Sequence, residues 1–205
     1  MKPKIIENYV SQETCNYITS YMEKNHSLDD KGKCLIYINE ESAENSICMG
    51  WHPNIHFLLK NLKEKGLQDS LFYDLFNLIG ENMCQAFGFD KSKITYETSH
   101  YKSFNSKSVG LNIGSDIVGE NGQAPHVDQY GENGKIYTAI LYFNDKYEGG
   151  ELVFYEDNDL SKPQPHKIKA GSLVCFDGHT YHSVKNITDG NRSCFILHIR
   201  YKETN

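Results

Sequence analysis

Three segments in the first ninety residues place apolar side chains every three or four positions, as amphipathic helices do. The first follows Ser11, a candidate N-cap, the second runs from Ile55 to about Lys65, and the third spans Ser70 to Phe87. Gly66 and Gly88 are the expected C-terminal caps of the last two. The apolar positions of the first and third segments are Cys15, Ile18, Tyr21, Met22, Leu71, Leu75, Leu78, Ile79 and Met83. The spacing predicts a helical support layer over residues 1–90.

From Ile94 onward the pattern changes to short β-branched and aromatic runs separated by turn residues. The predicted strands are Ile94–Phe104, Tyr137–Phe143, Glu151–Tyr155, His166–Lys169, Ser172–Phe176, His182–Asn186 and Cys194–Tyr201. Helices followed by many short strands predict an α+β chain, with a β-sandwich or jelly roll over residues 94–205. No linker separates the two parts, so we expect a single domain over residues 1–205.

Composition narrows the class of protein. The length of 205 residues fits one domain, and 39% hydrophobic with 23% charged residues is ordinary for a globular protein. A net charge of −6 argues against a nucleic-acid partner. Apolar runs are too short for a signal-peptide core or a membrane span, so we expect a cytoplasmic protein without a membrane partner. The six cysteines form no CxxC pair and are expected to be reduced, buried thiols.

The sequence Pro125-His126-Val127-Asp128 is the first feature that composition does not explain. Alternation along a strand puts His126 and Asp128 on one face. An imidazole beside a carboxylate supplies two of the three ligands of a facial triad, which holds Fe(II) and leaves open positions opposite. The third ligand must come from another strand, and both His179 and His182 are available for it. By itself such a triplet is weak evidence, since it arises often by chance.

Arg192 follows a glycine turn just downstream of these histidines, where a guanidinium can bind a carboxylate through two hydrogen bonds. Alternation predicts that one face of the last strand carries Arg192, Cys194, Ile196 and His198. It likewise predicts that one face of the strand after Asp128 carries Thr138, Ile140 and Tyr142. A tyrosine hydroxyl and a guanidinium inside a barrel are costly unless they bind something polar. These residues therefore indicate a polar ligand in the interior.

The segment from Pro125 to the C-terminus resembles the prolyl 4-hydroxylase-like family of Fe(II)/2-oxoglutarate-dependent oxygenases. The matching pieces are PHVD (125–128), KIYTAILYFND (135–145), EGGELVF (148–154), IKAGSLVCF (168–176) and HSVKNITDGNR (182–192). The resemblance implies a double-stranded β-helix (jelly roll) core supported by N-terminal helices. It further implies that His126, Asp128 and His182 bind the iron. The family favours His182 over His179 because its basic residue follows the distal histidine at about the distance of Arg192.

The same resemblance assigns the co-substrate site. Arg192 resembles the residue that binds the far carboxylate of 2-oxoglutarate, Tyr142 resembles the tyrosine that donates a hydrogen bond to it, and Thr138 lies on the same wall. One position departs from the family, because His198 stands where a tryptophan is common. We treat His198 as a candidate on the substrate side. The long loop between Tyr101 and Gln123 also differs from the compact segment of the animal and plant enzymes.

The family chemistry implies Fe(II), 2-oxoglutarate and O₂, with ascorbate as an additional reductant. The expected reaction is hydroxylation of an unactivated C–H bond with release of succinate and CO₂. Peptidyl proline is the leading substrate. A free amino acid or another small metabolite is the alternative, and a metal-binding jelly roll without turnover is the alternative outside the enzymes.

Overall fold

The computed structural model describes residues 2–25, 34–37, 70–105, 112–113, 116–119, 122–129 and 134–202. Two helices lie in this part of the chain: α1 (Gln12–Asn25) and α2 (Ser70–Phe87). Ser11 caps α1, since its Oγ accepts a hydrogen bond from the Thr14 backbone N at 3.1 Å. Gly88 ends α2 in a left-handed conformation with φ of +72°. Both helices were predicted, and α2 has the predicted bounds.

About half of the described chain forms two antiparallel sheets, a major and a minor one. The strands are β1 (Lys4–Ile6), β2 (Cys34–Tyr37), β3 (Ile94–Asn105), β4 (Asn112–Ile113), β5 (Asp116–Gly119), β6 (Gly122–His126), β7 (Lys135–Tyr142), β8 (Tyr147–Gly149), β9 (Leu152–Tyr155), β10 (Pro163–His166), β11 (Leu173–Asp177), β12 (His182–Lys185) and β13 (Ile187–Tyr201). The major sheet has the order β1-β11-β7-β13-β3-β2, with β8 paired to β13. The minor sheet has the order β10-β9-β12-β6-β5-β4.

Alternation along the central strands β7 and β13 divides the core into two layers. One face of these strands packs with Cys15 and Ile18 of α1 and with Ile79 and Met83 of α2. The opposite face packs against the minor sheet in a second cluster of Ile140, Tyr142, Leu152, Phe154, Ile168, Val174, Phe176 and Cys194. The even-numbered positions of both strands therefore face the interior between the sheets, as the sequence pattern predicted.

Several local predictions differ from the structure. The strand predicted at His166–Lys169 lies earlier, at Pro163–His166, where two prolines are tolerated because β10 is an edge strand. The described parts of the predicted loop between Tyr101 and Gln123 include β4 and β5. The layer over residues 1–90 is not purely helical, since β1 and β2 pair with the major sheet. The helix predicted over 55–65 lies outside the described residues, and the helical layer as a whole is not confirmed.

Four cysteines, Cys15, Cys84, Cys175 and Cys194, are buried free thiols, as predicted. Burial raises the pKa of the Cys175 thiol to about 12. These cysteines are therefore apolar core residues at neutral pH. No helix in the described ranges is both long and apolar enough to cross a membrane.

Candidate metal centre and co-substrate site

Strand pairing brings His126 and His182 together. His126 is the last residue of β6 and His182 the first of β12, and the antiparallel register pairs them directly. Their ring centroids are 4.2 Å apart. Asp128 lies two residues beyond the end of β6, yet its carboxylate turns toward both rings. The ligand atoms of the three side chains all lie within 4.8 Å of one another, and we call this set the metal cluster.

Both histidines of the metal cluster present Nε2 to the site. The Nδ1 atom of His126 lies 2.8 Å from the Ala124 carbonyl, and that of His182 lies 3.0 Å from the Thr180 carbonyl. A carbonyl can only accept, so each Nδ1 carries the hydrogen and each Nε2 keeps a lone pair. The His126 and His182 Nε2 atoms are 3.7 and 3.6 Å from the Asp128 carboxylate oxygens. This tautomer is the one that a metal ligand requires.

The carboxylate of Asp128 is also contacted by Thr138 and His198. The Thr138 hydroxyl donates a hydrogen bond of 2.5 Å to Asp128 Oδ2. His198 Nε2 lies 3.5 Å from the same oxygen. The register of β7 against β13 explains this, because Thr138 and His198 are direct partners. The two side chains fix the orientation of a candidate metal ligand, which is how outer partners of metal sites act.

Burial and neighbouring charges set the protonation of the metal cluster. Burial acts to raise the pKa of Asp128, but His182, His198 and the Thr138 hydrogen bond outweigh it and leave that pKa well below its usual range. Burial lowers the pKa of His182, although Asp128 opposes the shift. An ionised carboxylate and a neutral imidazole are the forms that bind a divalent metal.

His179, the competing histidine, lies outside the metal cluster. Its side chain is exposed, and its Nδ1 lies 3.2 Å from Asp177 Oδ1. The backbone N of His179 donates to the same carboxylate oxygen. The structure therefore brings His182, and not His179, to His126 and Asp128.

A second polar group lies on the same interior face of β7 and β13. Arg192 and Tyr142 are both buried, and Arg192 Nη2 donates a hydrogen bond of 2.7 Å to the Tyr142 hydroxyl oxygen. The guanidinium also lies over the Tyr142 ring, 4.8 Å from its centroid. Burial raises the pKa of Tyr142, with Arg192 opposing, so the phenol keeps its proton. Since its oxygen accepts from Arg192, that hydrogen is available to a ligand.

Tyr147, which the sequence did not single out, joins this group. Its hydroxyl is buried and has no hydrogen-bond partner among the described residues, and neither has the Nε atom of Arg192. Arg192 is close enough to oppose the effect of burial, which raises the pKa of Tyr147. We call Arg192, Tyr142 and Tyr147 the arginine cluster. Tyr147 lies in a three-residue strand after a loop, so the sequence has no periodicity there from which its place could be predicted.

The two clusters fit the groups that the family resemblance implies. Two imidazoles and one carboxylate are the donor set of a facial Fe(II) site. In the arginine cluster, a guanidinium that has no carboxylate partner within the described ranges and two phenols with available hydrogens form a buried set of donors. An uncompensated buried charge is costly, so an anion that enters this space is strongly favoured.

Comparison with known proteins agrees with this geometry. Residues 115–200 match the family model described as the 2OG-Fe(II) oxygenase superfamily. Human prolyl 3-hydroxylase 2 is 38% identical over 63 residues, which make up 30% of this chain. The match covers only 9% of that much longer protein.

Solved structures share the fold at low identity. A prolyl-4-hydroxylase of Pseudomonas putida superposes with a TM-score of 0.53 at 12% identity, over 98% of this chain and 93% of its own. SnoN, a non-heme alpha ketoglutarate dependent epimerase from nogalamycin biosynthesis, has a TM-score of 0.59 at 13% identity, over 98% of this chain and 79% of its own. The largely antiparallel sheets are thus the jelly roll of the 2-oxoglutarate oxygenases. These matches confirm the resemblance to that family.

Proposed function

We propose that this chain is an Fe(II)- and 2-oxoglutarate-dependent dioxygenase that hydroxylates an unactivated C–H bond. The observation that carries the proposal is the placement of the two clusters on one interior face. Thr138 pairs with His198 at the metal end, and Tyr142 pairs with Cys194 at the arginine end. The two pairs are four residues apart, or about 13 Å along the strand. The proposal requires the Arg192 and Tyr142 side chains to reach along this face toward the metal cluster, so that a small dicarboxylate spans the remaining gap.

The residues have distinct roles in this proposal. His126, Asp128 and His182 hold Fe(II) on one face and leave the opposite positions open. Arg192 and Tyr142 bind the far carboxylate of 2-oxoglutarate and so orient its 2-oxo acid end toward the metal cluster. Thr138 and His198 keep the Asp128 carboxylate turned to the metal. When bound, iron and O₂ supply the oxidative decarboxylation of 2-oxoglutarate to succinate and CO₂, with the second oxygen atom entering the substrate C–H bond.

Release of succinate tests the reaction class without knowledge of the substrate. Purified protein with Fe(II), ascorbate and 2-oxoglutarate should form succinate slowly in the absence of substrate. Asp128→Ala should abolish this, whereas His179→Ala should retain it. If the parent binds Fe(II) but forms no succinate under air with any candidate substrate, the chain is a metal-binding jelly roll and the enzymatic proposal is wrong.

For the substrate we propose a peptidyl proline, supported by the likeness to the prolyl 3-hydroxylase. The alternative is a free amino acid or another small metabolite. It is favoured by His198, since this side chain lies against the metal cluster where the family commonly has tryptophan. Incubation with proline-containing peptides and with a metabolite mixture, each analysed for a mass gain of one oxygen atom, separates the two. Hydroxylation of metabolites alone would refute the proline assignment.

A further inference from the structure

Tyr147 is held at the arginine cluster by a rigid backbone arrangement. Strand β8 pairs with the start of β13, which sets Tyr147 opposite Gly190. A Cβ at Gly190 would lie 3.0 Å from the Tyr147 Cα, and a Cβ at Gly150 would lie 3.0 Å from its ring. Both glycines have positive φ, at +74° and +66°. Only residues without a side chain let the tyrosine approach this closely.

Lys167 also contacts the Tyr147 ring. Its Nζ lies 3.9 Å from the ring centroid and donates to the backbone carbonyls of Tyr147 and Gly149. A ring packed between Gly150 and a lysine has little freedom to turn its hydroxyl elsewhere. The hydroxyl therefore stays buried beside Arg192, and its hydrogen reaches no acceptor among the described residues.

A buried hydroxyl whose hydrogen has no acceptor costs about 1–3 kcal/mol of stability. A ligand that accepts this hydrogen would offset the cost. The arginine cluster contains three donors with unused capacity: the Arg192 guanidinium at Nε, the Tyr142 hydrogen and the Tyr147 hydroxyl. A carboxylate offers about four lone-pair sites and can accept from all three. A single neutral carbonyl has two lone-pair sites, and no neutral or cationic ligand compensates the guanidinium charge.

From this geometry we propose that Tyr147 is a further co-substrate-binding residue, a third donor to the far carboxylate of 2-oxoglutarate beside Arg192 and Tyr142. The assignment rests on the proposed function, because it takes 2-oxoglutarate as the ligand. Tyr147 thereby selects dicarboxylates over 2-oxo acids that lack the second carboxylate. A bond from a fixed phenol also adds directionality that a guanidinium alone does not supply.

Binding to the Mn(II)-loaded protein under anaerobic conditions tests this assignment without turnover. Isothermal titration with 2-oxoglutarate is compared for the parent, Tyr147→Phe and Tyr155→Phe. Tyr155 is the matched control, because its hydroxyl lies on the minor sheet and bonds Ser183 Oγ at 3.0 Å. Loss of a hydrogen bond to a charged group should raise Kd about tenfold or more in Tyr147→Phe. Tyr155→Phe should stay within about twofold of the parent.

The melting temperature of the free protein separates binding from structure. Phenylalanine removes a hydroxyl that has no partner, so free Tyr147→Phe should melt no lower than the parent. An unchanged Kd in Tyr147→Phe overturns the assignment while leaving the proposed function intact. Failure of the parent to bind 2-oxoglutarate overturns both. If Tyr147→Phe does not fold, 3-fluorotyrosine placed at position 147 of the parent decides: its ¹⁹F resonance must shift on saturation with 2-oxoglutarate, and a static resonance refutes the contact.

Discussion

Replacement of Arg192 by methionine probes the co-substrate site most directly. Methionine keeps much of the length and apolar volume of the side chain but removes the charge and all donors. In the described residues the guanidinium hydrogen-bonds the neutral Tyr142 hydroxyl, lies beside the neutral Tyr147 hydroxyl and has no carboxylate partner. Its charge is therefore not used to hold the fold together. The expected consequence is an effect on binding that greatly exceeds the effect on folding.

The loss of binding can be estimated from burial. Arg192 is 3% exposed, so the ligand carboxylate that it binds is also removed from water. Leaving one member of a buried ion pair without its partner costs about 3–5 kcal/mol. This corresponds to a roughly hundred- to several-thousand-fold rise in Kd for 2-oxoglutarate. Binding of Mn(II) to the metal cluster should stay near that of the parent.

Stability should change little and can change in either direction. Removal of an unpaired buried charge relieves a desolvation cost of several kcal/mol. The Tyr142 hydroxyl loses its hydrogen bond at the same time, at a cost of about 1–3 kcal/mol. These contributions oppose each other, so the free energy of unfolding of Arg192→Met should fall by no more than about 1–3 kcal/mol.

Calorimetric titration with 2-oxoglutarate and chemical denaturation of the metal-loaded protein measure the two quantities. Arg200→Met is the control, because it removes a buried arginine from the same strand about 26 Å further along. Parental 2-oxoglutarate affinity in Arg192→Met would refute the co-substrate site. Equal losses of affinity in both variants would show that the effect is one of folding.

Three further predictions concern the metal end. Replacing His126, Asp128 or His182 with Ala should abolish turnover and metal retention, the latter measured as iron content after purification. His179→Ala should keep both, and loss of iron from this variant would contradict the ligand assignment. Thr138→Val keeps the shape but removes the donor to Asp128, and should weaken metal binding about 10- to 100-fold in a metal titration without preventing folding; unchanged affinity would refute the orienting role. His198→Trp should retain iron and substrate-independent succinate formation but alter the ratio of succinate to hydroxylated product; parental coupling at parental melting temperature would mean that His198 takes no part in substrate handling.

Long periodic segments were predicted well because burial alone decides them. Helix α2 has its predicted bounds, and Ile79 and Met83 of its predicted apolar face are buried, whereas Leu78 of that face is 43% exposed. The alternating faces of β7 and β13 were likewise predicted from the apolar pattern. The arrangement of Arg192 and Tyr142 follows directly from these faces.

Strands β6 and β8 were not predicted because pairing, and not composition, forms them. Strand β6 contains Pro125 and only small or polar residues before His126, yet it pairs with β12 and so brings the two histidines together. Strand β8 has three residues and depends on its partner β13. Tyr147 lies in β8, and the sequence therefore gave no sign of its place beside Arg192.

His198 departs from the family pattern, yet its position is compatible with the iron chemistry that the family implies. The sequence predicted only that this side chain points inward toward the metal. The register opposite Thr138 adds that both side chains meet the same carboxylate oxygen of Asp128. A tryptophan at this position would offer one indole donor on a much larger ring, whereas an imidazole fits beside a threonine. The three candidate ligands of the metal cluster therefore lie together with an imidazole beside Asp128. The residue at position 198 is the feature that favours the metabolite alternative over the proposed peptidyl proline, and the His198→Trp variant tests whether it decides between them.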